Sequence, residues 1–491
     1  MDLLSVLPEA ETRQADLGVE IGRVRYDSRQ VLSGDLFVAI RGSKTDGYEH
    51  IGDALRRGAA AVVSDRPAPD GLLREKRVAW IRVAEPRRAL ALLAARRAGD
   101  PAERLVLAGV TGTNGKTTTT MLLESLLERR YGRSGFLGTV AYRTGRREIA
   151  APRTTPEAPV IQDLLAEMVA DGVPAAALEV SSHALSLDRV TGCRFDVAVF
   201  TNLTRDHLDF HRDMESYYVA KKGLFSMRKG SASAVVNADD PFGARLAREA
   251  APPVWTYSAA GSAADVKAAD IRCDLNGISF EAVYPAGRFR VESRLLGQFN
   301  VENLLAAATA GLALRIPPAE IRDACAAVAR VPGRLEPVKA GQPYTILVDY
   351  AHTEDALRRL LLAVRGLTDK KIVLVFGCGG DRDRGKRFPM GEIAGRLADR
   401  PIATSDNPRS EDPLAILSEV ERGLIASGVR DYWKIPDRRE AIARAIGMSD
   451  ADTVLVIAGK GHETAQVIGE QELPFDDRAV AAELAGWRSQ P

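Results

Sequence analysis

The chain has 491 residues, 45% of them hydrophobic and 27% charged, and carries a formal net charge of +1. A chain of that length does not build a single core and is expected to divide into about three domains. With the charge balanced, nothing demands a nucleic-acid or acidic-surface partner, and any anionic ligand must be held by local groups.

The four cysteines, Cys193, Cys273, Cys325 and Cys378, lie far apart and form no CxxC pair. That spacing argues against a zinc site or disulfide framework and for reduced thiols. The opening MDLLSVLPEAETRQ lacks a basic segment followed by an apolar one, and no apolar run approaches the ~18 residues of a membrane span. A cytoplasmic protein is expected.

Up to Pro101, strands are predicted at GDLFVAI (34–40) and AAAVVSD (59–65). A helix follows in PRRALALLAARRAGDP (86–101), stopped by Gly-Asp-Pro. From Ala102 to Val331, LVLAGV (105–110), AAALEVSS (175–182), VAVFTNL (197–203) and SAVVNADDP (233–241) each run apolar and turn polar at the carboxyl end. TTTTMLLESLLERR (117–130) has the helical period. After VPGRLEPV (331–338) the pattern restarts with YTILVDY (344–350), KIVLVFGCGG (371–380), PIATSDN (401–407) and TVLVIAGKG (453–461). Helical runs at 355–367, 413–428 and 438–448 separate them. This alternation predicts an α/β protein of three domains, residues 1–101, 102–331 and 332–491, with parallel sheets covered by helices on both faces. In such sheets ligands bind at the carboxyl ends of the strands.

The stretch GVTGTNGKTTTT (109–120) misses the strict phosphate-loop spacing, because Val110 stands five places before Gly115. Its context, a strand, then Gly112-x-x-Gly115-Lys116-Thr117, then a helix, is nevertheless right for phosphate. Helix-start N–H groups and the helix dipole face the anion, Lys116 reaches the β- and γ-phosphates, and the Thr117 hydroxyl can ligate Mg²⁺. A Gly-rich turn with a solvated lysine is the alternative, and four consecutive threonines suit that role poorly. Glu179 ends an apolar strand, where a charge needs a reason to be: a metal-ligand role or a salt-bridged strand end. His207, after the next strand, is a metal ligand or a structural histidine. Lys221–Lys222, in YYVAKKGLF, reads as an exposed helical pair.

Taken in order, GVTGTNGKTTT, EVSSHAL, TNLTRDHLDFH, YYVAKKGLF, GQFNVENLLAA, PGRLE, VDYAHTEDAL, GCGGDRDRGKR, SDNPRSEDP and AGKGHET resemble the Mur ligases across essentially the whole chain. These are the ATP-dependent amino-acid ligases of peptidoglycan precursor synthesis, and the loop's odd glycine spacing is similar to the form they share with folylpolyglutamate synthases. The resemblance implies a central ATP-binding domain with a phosphate-loop-type parallel sheet. An N-terminal α/β uridine-nucleotide domain and a C-terminal Rossmann-like, amino-acid-binding domain flank it. It implies transfer of the ATP γ-phosphoryl group to the D-Glu carboxylate of UDP-N-acetylmuramoyl-L-Ala-D-Glu, then attack of an amine on the acyl phosphate.

By the same resemblance, Gly112, Thr113, Asn114, Gly115, Lys116, Thr117, Thr118, Asn300, Arg334 and Asp349 bind ATP. Lys116, Glu179, His207 and Lys221 form the catalytic set. Mg²⁺ is held by Thr117, Glu179, His207 and Lys221, the last carrying a CO₂-derived carbamate. The UDP-linked peptide falls to Ser28, Thr154, Thr155, Ser181 and Arg189, with GSKTDG (42–47) near the uracil. Arg153 and Leu187 depart from the family's usual asparagine and glutamine. The incoming amino acid falls to Arg382, Asp406, Asn407, Pro408, Arg409, Gly459 and Glu463. Asp-Asn-Pro-Arg at 406–409 resembles the branch that adds meso-diaminopimelate rather than L-lysine. An arginine pairs two-fold with the distal carboxylate and repels a simple ammonium tail, whereas read alone the same residues make an Asx-type turn. The L-lysine-adding relatives, a folylpolyglutamate synthase and a non-catalytic ATP-gated binding protein are the rival readings. A monomer acting on small molecules, with no nucleic acid and no membrane span, is expected.

Overall fold

The computed structural model describes residues 3–7, 9–13, 19–42, 45–68 and 78–488. Its contacts divide the chain into two compact units. One comprises Met1–Lys267, Val283–Gly287 and Asn303–Ala324; the other comprises Ala268–Ala282, Arg288–Glu302 and Cys325–Pro491.

The first unit carries two sheets. Strands β1 (Glu11–Arg13), β2 (Val24–Arg25), β3 (Leu36–Val38), β4 (Ala61–Ser64) and β5 (Ala79–Arg82) pair in the order β1-β5-β4-β3-β2. All neighbours are parallel except β1, which runs against β5. Leu36, Val38, Val63 and Ile81 pack with Leu90 and Leu93 of the Pro86–Arg97 helix, while Phe37, Val62 and Trp80 meet Ile51 and Leu55 of the Ile51–Arg56 helix. Both faces are covered, which is why these strands read as unbroken apolar runs rather than alternating ones.

The larger sheet holds β6 (Val106–Thr111), β7 (Gly135–Leu137), β8 (Ala141–Arg143), β9 (Glu148–Ala150), β10 (Ala175–Glu179), β11 (Phe195–Phe200), β12 (Arg228–Asn237) and β13 (Val254–Ser258). Their order is β13-β12-β11-β6-β10-β7-β8-β9, parallel from β13 to β7 and antiparallel through the β7–β9 meander. β14 (Val266–Asp274) starts beside β13 with Tyr257 opposite Val266, and β15 (Gly277–Tyr284) and β16 (Gly287–Ser293) follow. β6 lies between β10 and β11, with Glu179 level with Val110 and Phe200 level with Thr111. The glycine loop is therefore flanked on one side by Glu179 and on the other by Thr201 and Asn202.

In the second unit, β17 (Glu336–Val338), β18 (Thr345–Asp349), β19 (Lys371–Cys378), β20 (Arg400–Ser405), β21 (Trp433–Lys434) and β22 (Thr453–Ala458) pair in the order β17-β18-β22-β19-β20-β21. Only β17 is antiparallel to its neighbour. One face buries Leu347, Leu374 and Val456 against the Glu354–Leu367, Arg387–Leu397 and Pro413–Ser427 helices. The other buries Val348, Val375 and Ile457 against the Arg438–Gly447 and Asp477–Arg488 helices. The hairpin β23 (Ala465–Ile468) and β24 (Gln471–Pro474) stands apart from this sheet. Helix ends follow local chemistry: Asp412 accepts from Leu414 N at 3.0 Å ahead of Pro413, and Gly428 closes that helix at φ +83°. Among the described residues, no helix is long and apolar enough to cross a membrane.

Candidate active site

The loop after β6 turns into the Lys116–Tyr131 helix through Gly112 (φ +157°) and Gly115 (φ +83°). A Cβ at Gly112 would overlap the Thr201 hydroxyl, and one at Gly115 would overlap Asn303 Oδ1, so only glycine fits either place. The TNLT segment after β11 braces the loop. Thr113 N donates to Asn202 O (2.8 Å), Asn114 N donates to Asn202 Oδ1 (2.9 Å), and Thr201 Oγ1 donates to Asn114 O (2.6 Å). No side chain caps the start of the helix at Gly115, and the N–H groups at a helix start are suited to face an anion. Lys116 Nζ is folded onto the carbonyls of Gly112 (3.1 Å) and Thr113 (2.9 Å).

Glu179 reaches this loop from β10. Its carboxylate is buried and accepts from Thr117 Oγ1 (3.1 Å), Thr139 N (2.8 Å) and Thr139 Oγ1 (3.0 Å). Glu179 is thus a carboxylate satisfied by hydroxyl and backbone donors, next to the phosphate loop. Thr117 Oγ1 and the Glu179 carboxylate are hard oxygen donors of the kind Mg²⁺ takes alongside substrate phosphates.

Lys221 overturns the expectation of an exposed pair. Met214–Ser226 buries Tyr217, Tyr218, Lys221, Leu224 and Phe225, an i, i+4, i+7 stripe on which the lysine falls, while Lys222 faces outward to Glu249 (2.8 Å). The Lys221 side chain is 1% exposed, its Nζ donates to Gly112 O at 2.6 Å and lies 4.5 Å from the Tyr217 ring centre. Burial, reinforced by the charge of Lys116, holds its amine well below the usual lysine range; Asp206 opposes this weakly. His207 takes φ +53° at the start of the Leu208–His211 turn, with Nε2 3.4 Å from Asp206 Oδ2. It belongs to a ring cluster, 4.9 Å from His183 and 6.3 Å from Tyr217, while His211 bonds Ser182 Oγ at 2.9 Å.

The residues expected to hold the UDP-linked peptide gather beside Glu179. Thr154 Oγ1 bonds Thr139 Oγ1 (3.1 Å), donating to it because the Thr139 proton is given to Glu179. Thr155 Oγ1 donates to Glu179 O (2.7 Å) and accepts from Ser181 N (3.1 Å). Arg189 donates to Thr155 O (3.1 Å) and pairs with Glu157 (3.0 Å). Burial pulls the Arg189 guanidinium below its ordinary value against the opposing pull of Glu157. Arg153 pairs with that same Glu157 at 2.7 Å, so this departure from the family feeds an existing ion cluster. Ser28 is buried and stands apart from these, its hydroxyl bonded to the Asp53 carboxylate, while burial and then the Glu157 carboxylate raise the Tyr26 hydroxyl value. Ser43 and Lys44 of GSKTDG lie outside the described residues. The stretch's Asp46 pairs with Arg66, and Gly42 N donates to Thr45 O.

In the second unit the predicted residues meet at the carboxyl ends of β18, β19, β20 and β22. Asn407 Nδ2 donates to Glu463 Oε2 (3.0 Å), and a Cβ on Gly459 would press on Asp406 Oδ2. Arg409 sits at φ +52° with NH1 donating to Gly380 O (2.8 Å). Its backbone is pinned to the β23–β24 hairpin by Arg409 N to Val467 O (3.0 Å) and Gly469 N to Arg409 O (2.7 Å). A Cβ on Gly380 would overlap Pro408 O, and the exposed Arg382 turns NH1 toward Asp381 O (3.4 Å). Asp349 ends β18 buried, accepting from Leu335 N (2.7 Å) and Ala351 N (2.8 Å). Burial raises its carboxyl value against Arg334 and those two donors. Arg334 itself lies over the Tyr350 ring, 5.0 Å from its centre. Asn300 Nδ2 donates to Leu296 O (2.7 Å).

Sequence reasoning passed over several members. Asn303, one turn beyond Asn300 in the same motif, accepts from Thr119 Oγ1 (3.3 Å) and abuts Gly115. Lys460, inside AGKGHET, is wholly buried against Asn407 and Glu463. Lys221 was in the expected set by resemblance, and the helical spacing of Tyr217, Tyr218, Leu224 and Phe225 was the available signal for its burial. Thr139 gave none, since its tie to Glu179 spans 40 residues.

A glycine loop opening a helix, with a buried carboxylate at its side, is an arrangement suited to holding a nucleotide's phosphates. Family models match along the chain: Mur ligase family, catalytic domain at 20–98, Mur ligase middle domain at 110–311, and Mur ligase, glutamate ligase domain at 333–461. The chain is 46% identical to UDP-N-acetylmuramoyl-L-alanyl-D-glutamate--2,6-diaminopimelate ligase of Geobacter metallireducens, over 98% of this chain and 97% of that one. A solved structure bearing the same enzyme name superposes with a TM-score of 0.72 at 34% identity, covering 100% of this chain and 99% of the other. A MurF ligase from Thermotoga maritima in complex with ADP shares the fold, with a TM-score of 0.61 at 20% identity over 94% and 96% of the two chains. The protein belongs to the Mur ligase family.

Proposed function

We propose that this protein is the ATP-dependent ligase that joins meso-diaminopimelate to the D-Glu carboxylate of UDP-N-acetylmuramoyl-L-Ala-D-Glu, in peptidoglycan precursor synthesis. The observation that carries the choice of amino acid is the company of Arg409: a guanidinium for a distal carboxylate, held by the hairpin, in a pocket where Asp406, Asn407 and Glu463 suit a distal ammonium. The Geobacter relative's name supports the same reading.

The chain's own groups supply positioning and charge. The loop N–H groups and Lys116 take the ATP phosphates, Lys116 exchanging the carbonyls of Gly112 and Thr113 for phosphate oxygens. The γ-phosphoryl group passes to an oxygen of the D-Glu carboxylate and ADP leaves. The incoming amine attacks the acyl carbon, a tetrahedral intermediate forms, the amine gives up a proton, and phosphate departs. Thr154, Thr155, Ser181 and Arg189 hold the peptide carboxylate against that attack, beside Glu179. Mg²⁺ would be held by Thr117 and Glu179, with His207 and Lys221 as further ligands, and would neutralise charge on the transferring oxygens. As a bare ammonium Lys221 cannot ligate a cation. Its buried, low-value amine suits reaction with CO₂, and the resulting carbamate would be an anion that Lys116 attracts. Asn300, Arg334 and Asp349 are assigned to the ATP base, ribose and phosphate by resemblance. Residues 1–101 are assigned to the uridine nucleotide, 102–331 to ATP and 332–491 to the amino acid. A nucleotide-linked precursor and ATP as substrates favour a cytoplasmic enzyme, and one chain carrying every assigned residue favours a monomer.

The test is phosphate release and amide-product mass from purified protein with ATP, Mg²⁺ and the UDP-linked dipeptide, comparing meso-diaminopimelate with L-lysine. Product from meso-diaminopimelate at concentrations where L-lysine is inert is expected. Preference for L-lysine, or ADP accumulation with no amide from either, refutes the reading.

A further inference from the structure

Lys460 follows β22 and has no exposed surface. An ammonium taken out of water costs several kcal/mol unless it is paired and hydrogen-bonded, so its partners explain its place. Nζ donates to Asn407 Oδ1 (3.0 Å) and to Glu463 Oε2 (3.2 Å), and lies 3.8 Å from Asp406 Oδ1. All three partners line the proposed diamino-acid pocket.

Two consequences follow from that placement. Asn407 Oδ1 accepts from both Lys460 Nζ and Val467 N (3.0 Å), which leaves the amide NH₂ only one orientation, toward Glu463 Oε2. The amide cannot flip while Lys460 is in place. The second consequence concerns charge. Asp406 and Glu463 bring two formal negative charges to the pocket, and Lys460 cancels one of them. With Arg382 and Arg409 set aside for the ligand's carboxylates, a single negative charge remains among Asp406, Glu463 and Lys460, matched to one ligand ammonium. Arg438, the other buried cation behind the pocket, is committed to Asp477 through two bonds of 2.7 Å. The balance therefore falls to Lys460.

We infer that Lys460 is a positioning residue for the incoming diamino acid, fixing Asn407 and Glu463 and setting the pocket's charge to accept one distal ammonium. This rests on the proposed function. Lacking Lys460, the Asn407 amide oxygen would keep only the Val467 N–H, and the Asp406 and Glu463 carboxylates would lose the cation between them.

The experiment compares the full-length parent with Lys460→Met and Lys460→Gln, measuring KM for meso-diaminopimelate, KM for ATP, and acyl phosphate formed from ATP and the UDP-linked dipeptide without amine, trapped with hydroxylamine. In both variants KM for meso-diaminopimelate is expected to rise about tenfold or more, as for a lost hydrogen bond to a charged group. KM for ATP and acyl phosphate trapping should stay within about twofold of the parent, a split that general loosening of the fold would not produce. An unchanged KM for meso-diaminopimelate, a common rise in all constants, or failure of both variants to fold would each overturn the inference while leaving the functional reading intact. A parent that makes no product from meso-diaminopimelate would overturn both.

Discussion

Replacing Arg409 by glycine separates what the residue does for the fold from what it does for the substrate. Arg409 holds φ +52°, and a side chain in that left-handed region costs roughly 1 kcal/mol, which glycine recovers. Against this, glycine adds about 0.5–1 kcal/mol of unfolded-chain freedom, and the lost bond from NH1 to Gly380 O costs about 1 kcal/mol. The backbone ties to Val467 and Gly469 need no side chain and persist. Arg409→Gly should therefore stay within about 1 kcal/mol of the parent in a denaturant titration. Alanine would keep the strain and is the poorer probe. Substrate recognition should suffer far more: losing a guanidinium that faces a carboxylate costs about 2–4 kcal/mol, or about 30- to 1000-fold in kcat/KM for meso-diaminopimelate. L-lysine, which has no distal carboxylate, should be used no worse than by the parent. The assay is amide formation at subsaturating amino acid, with mass detection of each product. A folded Arg409→Gly that adds meso-diaminopimelate within about threefold of the parent would refute the argument that this arginine selects the substrate.

Glu179→Gln should keep the fold, because the Thr139 N–H can donate to an amide oxygen as readily as to a carboxylate. Ligation should fall by on the order of 10²–10³, since the negative charge beside Thr117 is gone; near-parental turnover would exclude a metal-holding role. Gly115→Ala places a Cβ against Asn303 at a φ of +83° and should cost about 1–3 kcal/mol while raising KM for ATP, read by thermal melting and initial rates. Lys221→Met should abolish ligation yet stabilise the fold at neutral pH. The folded amine's value lies well below that of the unfolded lysine, so between the two values the unfolded chain binds more protons and stability of the parent rises with pH. Methionine should remove that slope, and denaturant titrations of parent and variant at neutral and mildly alkaline pH would expose a slope that persists.

What the sequence made legible was whatever its own spacing carries. The glycine loop declared itself through neighbours in the chain, and Glu179 through the oddity of a charge closing an apolar strand. Both needed only the rule that parallel strands deliver their carboxyl ends to one edge. The resemblance named Lys221, but its burial was missed from the residues alone because a lysine beside a lysine suggests solvent. The register of Tyr217, Tyr218, Leu224 and Phe225 assigns it to the inner stripe, but a long charged side chain on such a stripe ordinarily reaches back to water. Thr139 and Asn303 depend on contacts across 40 and 184 residues, which no local pattern encodes. The conformation of Arg409 depends on a hairpin nearly 60 residues later in the chain, and its strain became visible only with that partner in place.

The two sites treat charge in opposite ways, and the difference follows from what each must receive. At the loop, Nζ of Lys116 and Nζ of Lys221 converge on the single carbonyl of Gly112, at 3.1 and 2.6 Å. Burial, and after it the charge of Lys116, holds the Lys221 amine toward its neutral form, and one shared carbonyl offsets this little. In the proposed mechanism, conversion of the Lys221 amine to a carbamate would turn the neighbouring charge of Lys116 from a repulsion into an attraction, and an arriving phosphate would offset both amines. In the proposed amino-acid pocket two carboxylates face the one buried lysine that tempers them, and a ligand ammonium would complete the set. Neither arrangement is the most stable that its residues could adopt if folding were the only demand. A buried pair with matched charges, as Arg438 and Asp477 show with side chains wholly inaccessible, is what this same chain builds where no ligand is due.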